Sequence, residues 1–342
     1  MADTPQTLAL ITLAQQYAGD TVRQINRKTT ALRVIPIVVG EGKNVAWAPE
    51  HDGAEAGEYA DGADATDFGS DGQASATLNW ALQRATSRIT GLATAASATS
   101  QSPRGNVDLI ARNIVNSSAA LASLMNKRIY TGNGAANPKQ ITGLDSAIGD
   151  DSNTYATIDR TTAAYWRPTV IDPGSPTALS FAQIRSDLGK IYDACGENPD
   201  VALCSTGVFN ALGNLFDANR RYVQVVNTAR GEIKLEAGFE GLEVGGCVFL
   251  KDKDASPGTI YYLNTNHIEL QILPASRNAA PGLEPGMMLR ANDGFGEIPL
   301  LFTYEALAKT GDSTKYQIKA YAELAVKRPN AFGVRKNVAV TA

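Results

Sequence analysis

Between Ser102 and Tyr130, apolar or small side chains return every three or four residues: Val107, Ile110, Ala111, Ile114, Ser118, Leu121, Leu124, Met125 and Ile129. That period marks one face of an α-helix, and Arg104, Asp108, Arg112, Asn116 and Lys127 fall mostly off it. Ser102 suits the N-cap, Pro103 the first helical position, and Gly132 the stop. Such a helix is roughly 40 Å long at about 1.5 Å per residue, so another element has to lie along it.

The pattern near the C-terminus supplies one. Pro299 to Ala306 and Tyr316 to Val326 read as strands joined by the turn KTGDST, with Tyr316, Ile318, Ala320, Ala322, Leu324 and Val326 on one face. A two-stranded sheet has one face to bury, and the long helix is its cover. Upstream, Ser180 and Gln183 form a capping box for a helix to Cys195 whose stripe is Phe181, Ile184, Leu188, Ile191 and Tyr192. A strand at Val201 to Cys204 and a helix at Val208 to Phe216, capped by Ser205 or Thr206, come next. Strands at Leu242 to Leu250, Thr259 to Leu263 and Ile268 to Leu273 complete a mixed α/β unit. Pro168, Pro173 and Pro176 on one side and Pro274, Pro281 and Pro285 on the other read as linkers, so this unit is expected to be inserted into a discontinuous second domain.

The first ninety residues follow a different pattern. Residues 6 to 28 read as an N-terminal helix or arm, and Leu32 to Val39 is a strand-like run in which Pro36 implies an edge or a break. Val45 and Trp47 share one face of a short strand; Ala76, Leu78, Trp80 and Leu82 share one face of another. Between them, residues 49 to 73 are almost all Ala, Gly, Asp and Glu, with Tyr59 and Phe68 the large exceptions. A hairpin of about 20 residues per arm reaches some 60 Å at roughly 3.3 Å per residue. An isolated hairpin is marginally stable in water, so an ordered arm of this kind must rest on another molecule.

Charge sharpens that picture. The 342 residues carry a net charge of −4, but residues 41 to 71 hold Glu41, Glu50, Asp52, Glu55, Glu58, Asp61, Asp64, Asp67 and Asp71 against Lys43. Arg84, Arg88, Arg104, Arg112, Lys127 and Arg128 follow with Asp108 among them. No run of basic residues points to direct nucleic-acid readout, and no apolar run is long enough to span a bilayer. The N-terminus lacks a basic n-region, so no signal peptide is expected. Cys195, Cys204 and Cys247 are far apart and read as buried thiols; His51 and His267 read as isolated surface or turn residues. GFEGLEVGG lacks the ending of a phosphate loop, and the acids of the arm lack EF-hand spacing. No catalytic site, cofactor or metal is expected.

The long helix ending in YTGNG, then PKQITGLDSAI, TYATIDRTTAAYWRPTVID, NPDVALCSTGVFNAL, TIYYLNTNHIELQIL and YAELAVKRPNAFGVRKNV, resembles the major capsid proteins of tailed bacteriophages with the Hong Kong 97 fold, from about 30 to 338. The resemblance implies an α+β fold with an N-terminal arm (1–39) and an extended E-loop hairpin (40–88). It implies a P-domain of spine helix (102–130) plus long antiparallel strands (89–177 and 286–342) and an inserted mixed α/β A-domain (178–285). It further implies a shell of hexamers and pentamers around double-stranded DNA contacted non-specifically, made in the host bacterial cytoplasm. A portal protein and a separate scaffold are implied partners, with or without a decoration protein. Some members cross-link through an E-loop lysine; the loop's lysine here is Lys43, at its base, so no such bond is expected. With the E-loop expected to begin near residue 40, no long cleaved scaffolding segment is expected. Charge complementarity implies contacts between copies through Trp47, Glu50, Glu55, Glu58, Tyr59, Asp61, Asp64, Asp67, Phe68 and Trp80 on the arm, and Arg84, Arg88, Arg104, Arg112, Lys127 and Arg128 opposite. The alternatives are an encapsulin-like cellular nanocompartment, which shares the fold, and a small-molecule-binding α/β protein or hydrolase using 178–273.

Overall fold

In the computed structural model the described residues are 29–51, 57–58, 61, 69, 72–98, 109–219, 241–273, 287–292, 297–308 and 311–340. In chain order the elements are α1 (Thr30–Val34), β1 (Ile37–Val39), β2 (Asn44–Trp47), β3 (Ala76–Asn79), β4 (Ala81–Thr90), α2 (Gly91–Ala98), α3 (Leu109–Thr131) and α4 (Leu144–Ala147). Then come β5 (Thr154–Tyr155), β6 (Ile158–Asp159), β7 (Thr169–Ile171), α5 (Phe181–Cys195), β8 (Val201–Cys204), α6 (Thr206–Asn219), β9 (Gly241–Val244) and β10 (Cys247–Lys251). The last are β11 (Ile260–Leu263), β12 (Ile268–Leu273), β13 (Met287–Asn292), β14 (Glu297–Leu307), β15 (Ser313–Val326) and β16 (Gly333–Arg335).

The first sheet is organised by β15. One edge of it pairs with β4, from Ala81↔Ala322 to Thr90↔Ser313; the other pairs with β14 and then with β12. β13 and β1 extend the sheet to six strands. The expected two-stranded sheet is therefore too small, because the strand leading out of the arm and a strand assigned to the inserted unit both add to it. The predicted inner face holds: Tyr316, Ile318, Ala320, Ala322, Leu324 and Val326 are all buried. Leu121, Ala122, Met125 and Ile129 of α3 share a core with Ile318, Ala320, Ala322, Leu324 and Phe302.

The long helix ends at Thr131, just before Gly132 as predicted; Ser102, Pro103 and Val107 lie outside the described residues. Its buried stripe is turned from the expected one. Leu124 is exposed, while Asn126 and Tyr130 are fully buried. The reason is polar: Asn126 Nδ2 donates to Asp252 (3.0 Å) and Asp254 (2.8 Å), and the Tyr130 hydroxyl donates to Asp252 (3.0 Å). Asp252 also accepts the Ala31 amide (3.1 Å), so one buried carboxylate ties α1 and α3 to the end of β10. Burial raises its pKa, against the pull of these donors.

The second sheet runs β7-β16-β11-β8-β10-β9. α5 carries the predicted capping box and ends on Gly196 at φ 76°. Ile184, Leu188 and Ile191 are buried with Val208, Phe209 and Leu212 of α6, but Tyr192 is 50% exposed, about 100° further round the helix than Ile191. The expected single strand at 242–250 is a hairpin, β9 and β10, turning at Gly245-Gly246. Two outlying strands join this sheet: β7, from the stretch read as a linker, and β16, held to α5 by a bidentate pair in which Arg335 Nε donates to Asp187 at 2.5 Å. The chain crosses between sheets after β11. There Glu197 accepts from Asn264 (2.8 Å), His267 (2.9 Å) and Arg328 (2.8 Å), so His267 is not the isolated residue expected.

The N-terminal run breaks where Pro36 stands. α1 precedes it, and β1 follows as an edge strand parallel to β12. Residues 6–28 lie outside the described residues.

Candidate assembly surfaces

The base of the arm is a two-stranded hairpin in which Val45 pairs with Leu78 and Trp47 with Ala76. Pairing continues outward to Glu50↔Gln73, with the His51 amide donating to Gly72 (3.0 Å). Val45, Leu78 and Trp80 cluster with Leu273 and Ala325, so the hairpin is planted on the outer side of the first sheet. The strict alternation breaks after Trp80: Ala81 and Gln83 are buried and Leu82 is 61% exposed. β4 starts a new phase, because from Ala81 onward the side-chain direction is set by pairing with β15 rather than with β2.

Trp80 and Trp47 were expected to touch a neighbour; within the subunit both are engaged by their own chain. Trp80 is buried, its Nε1 donating to the Gly42 carbonyl (3.2 Å). It lies so close to Gly40 that a Cβ there would fall 2.4 Å from its ring. Trp47 Nε1 donates to the Lys327 carbonyl (3.2 Å), and its ring lies 6.4 Å from that of Trp166. Both anchor the arm to its own chain.

The segment from Tyr155 to Trp166, just before the prolines read as a linker, is the cradle for that anchor. His51, expected to be isolated, stacks on Tyr165 at 4.3 Å. The Thr77 amide donates to Ala156 (3.0 Å), and the Thr157 hydroxyl donates to Ser75 (3.1 Å). Arg160 holds the cradle from inside, fully buried and donating to the carbonyls of Ala147, Asp150 and Trp166 and to Asn153. Burial lowers its pKa to about 10.

Of the other arm residues, Glu50, Glu58 and Asp61 are exposed. Glu55, Tyr59, Asp64, Asp67 and Phe68 lie outside the described residues, as does Arg104. The cations expected to form one basic region are divided by the fold. Lys127 is exposed and Arg128 half-buried on α3, which also carries Arg112; Arg84 and Arg88 are exposed on β4. In β4–β15 the register puts Arg84 opposite Lys319 and Arg88 opposite Lys315, on the face turned away from α3. Sequence reading passed over Lys315 and Lys319, although the alternation that turns Tyr316, Ile318 and Ala320 inward turns these two outward. Glu305 pairs with Lys319 and accepts from Gln317 (2.7 Å); the Lys319 ammonium beside it holds its carboxyl below the usual range. Among the described residues no group of three or more His, Cys, Asp and Glu side chains could hold a metal ion.

The arrangement is that of known shell subunits. The capsid subunit of cyanophage A-1(L) superposes with a TM-score of 0.75 at 18% identity, over 93% of this chain and 95% of its own. The capsid of Myoviridae phage XM1 gives 0.55 at 12% identity, over 94% and 95%. The SrpI encapsulin of Synechococcus elongatus gives 0.52 at 14% identity, over 96% and 95%. No curated protein sequence matches the chain. The family model of the SU10 major capsid protein matches residues 20–339, and that span, covering both sheets, the long helix and the arm, makes this chain a member of the SU10 major capsid protein family.

Proposed function

We propose that this major capsid protein builds a closed icosahedral phage head from hexamers and pentamers, enclosing double-stranded DNA that it touches without reading sequence. The reading rests above all on the arm: a hairpin anchored at its base by Trp47 and Trp80 and continuing outward to Glu50 and Gln73, beyond which the sequence is acidic and poor in apolar side chains. Such a segment gains stability by lying on another copy. In this account 1–39 is the N-terminal arm, 40–88 the E-loop, 178–285 the axial domain, and the remainder the peripheral domain with the long helix as its spine. The role is structural, without a catalytic site. A portal and a separate scaffold complete the assembly, in the host bacterial cytoplasm. The encapsulin likeness keeps the compartment reading in the same fold, but the SU10 match and the higher score to the cyanophage shell favour the head.

The test is sedimentation of the purified chain at rising concentration and low salt. The wild-type chain is expected to shift from subunits to capsomers and shells, and Asp61→Lys/Asp64→Lys/Asp67→Lys to stay mostly as subunits. Normal particles from the variant would contradict the proposed role of the acidic arm.

A further inference from the structure

Among the described residues, three that are not glycine have a positive φ: Ala156 (50°), Thr157 (70°) and Asn337 (53°). Asparagine tolerates that region, and Asn337 is held there by its side chain, which donates to Asp172 (2.7 Å). Alanine gains nothing from it, and a β-branched threonine is a true outlier. Ala156 and Thr157 are the two loop residues of the β5–β6 hairpin, in which Tyr155 pairs with Ile158. A two-residue hairpin loop with both φ values positive is a type I′ turn, whose preferred sequences are Asn-Gly, Asp-Gly and Gly-Gly. Ala-Thr suits it poorly, so the turn is strained.

The flanks of the turn belong to the body. The Tyr155 hydroxyl accepts the Val326 amide of β15 (2.9 Å), the Tyr155 carbonyl accepts from Trp166 Nε1 (3.2 Å), and Asp159 accepts the Thr161 amide (2.8 Å). The tip belongs to the arm. The Ala156 carbonyl accepts the Thr77 amide (3.0 Å), and the Thr157 hydroxyl, 2.5 Å from that same carbonyl, also reaches the carbonyl of Ser75 (3.1 Å). Strain of this kind persists only where the surroundings over-determine it, and here the arm is what meets the tip. Beside the turn lies a cavity of about 240 Å³ bordered by Thr77, Leu78, Pro138, Thr142 and Thr154, which gives the tip room to move.

We infer that the Ala156–Thr157 turn is a sprung latch for the arm: the seated arm holds the turn in its strained form, and the turn relaxes when the arm lifts. Seating and strain are two states of one element. Lifting breaks the bonds to Thr77 and Ser75 but releases the strain, so the root of the arm opens more readily than the sheet it is planted on. The latch is a property of the single subunit. It goes beyond the shell reading and does not depend on it.

Hydrogen exchange of the full chain, read by mass spectrometry on short peptides, tests this at two amides: Thr77, which bonds the turn, and Leu270, which bonds the Pro36 carbonyl in the first sheet (2.8 Å). In the wild type Thr77 is expected to exchange about tenfold faster than Leu270, or more. Ala156→Asn/Thr157→Gly suits the turn without strain, and the strain relieved outweighs the loss of one exposed hydroxyl bond. This variant is expected to melt a few degrees higher and to slow exchange at Thr77 by about tenfold, because lifting the arm no longer releases anything. Thr157→Val keeps the shape and the strain but cannot donate; it is expected to melt close to the wild type and to exchange severalfold faster at Thr77. Equal exchange at Thr77 and Leu270 in the wild type would overturn the latch, since the arm would then open only with the whole fold. A higher melting temperature for A156N/T157G with exchange at Thr77 unchanged would overturn it too, as would wild-type exchange at Thr77 in T157V.

Discussion

Glu323 occupies a position on β15 that would ordinarily face water, yet it is buried. One carboxylate oxygen accepts the Thr142 amide at 2.7 Å, and the other has no hydrogen-bond partner among the described residues. Burial pushes its pKa from 4.5 to about 8. The unfolded chain releases this proton near 4.5 and the folded chain holds it to about 8. Stability is therefore whole below the lower value, falls as pH rises between the two, and stays low above. The loss is on the order of 3–5 kcal/mol at most. Glu323→Gln removes the titration, so the variant is expected to melt several degrees above wild type at alkaline pH and close to it at acidic pH. Parallel melting curves across that range would refute the account. Nothing in the sequence marks this residue: alternation groups it with Lys315, Gln317 and Lys319, and the fold brings the Thr142 amide of the loop after α3 against it. Asn126 is a similar case, a polar residue inside an apolar stripe that makes sense only once Asp252 is seen beside it.

At the scale of elements, what local chemistry decides could be read in advance. Ser180 and Gln183 announce α5, the alternation from Tyr316 to Val326 announces β15, and Gly132 announces the end of α3. Pairing decides the rest, and pairing is long-range: β12 joins β15 across some fifty residues of sequence, β7 and β16 leave their neighbours for the second sheet, and β4 changes phase at Trp80 because its partner changes. The glycines separate these two kinds of constraint. A Cβ on Gly132 would lie 2.0 Å from the Ile141 carbonyl and 2.5 Å from that of Arg128, both backbone atoms. Gly189, inside α5, meets nothing within 4 Å. Chemical denaturation is expected to show Gly132→Ala destabilised by about 2 kcal/mol or more through displaced backbone, and Gly189→Ala stabilised by roughly 0.5–1 kcal/mol through helix propensity. Equal effects would mean that the end of α3 is not held by its contact with residue 141.

For the whole molecule, the buried contacts lie in the body and the acidic charge gathers in the arm. Two sheets, the covering helix and the Asp252 and Asp187 nodes hold the body together from within, whereas beyond Glu50 and Gln73 the sequence of the arm is acidic and poor in apolar side chains. The hairpin at the base of the arm was legible in composition and spacing, and its anchoring was not, since Trp47 and Trp80 look the same in sequence whether they grip a neighbour or their own chain. Assembly through the acidic arm is expected to weaken steeply with salt while the fold does not, since the body is held by buried apolar contacts. Electron microscopy of the purified full chain at low ionic strength and rising concentration tests the central claim most directly. Uniform shells or capsomer rings are predicted, and a population that remains compact single subunits at every concentration would contradict it.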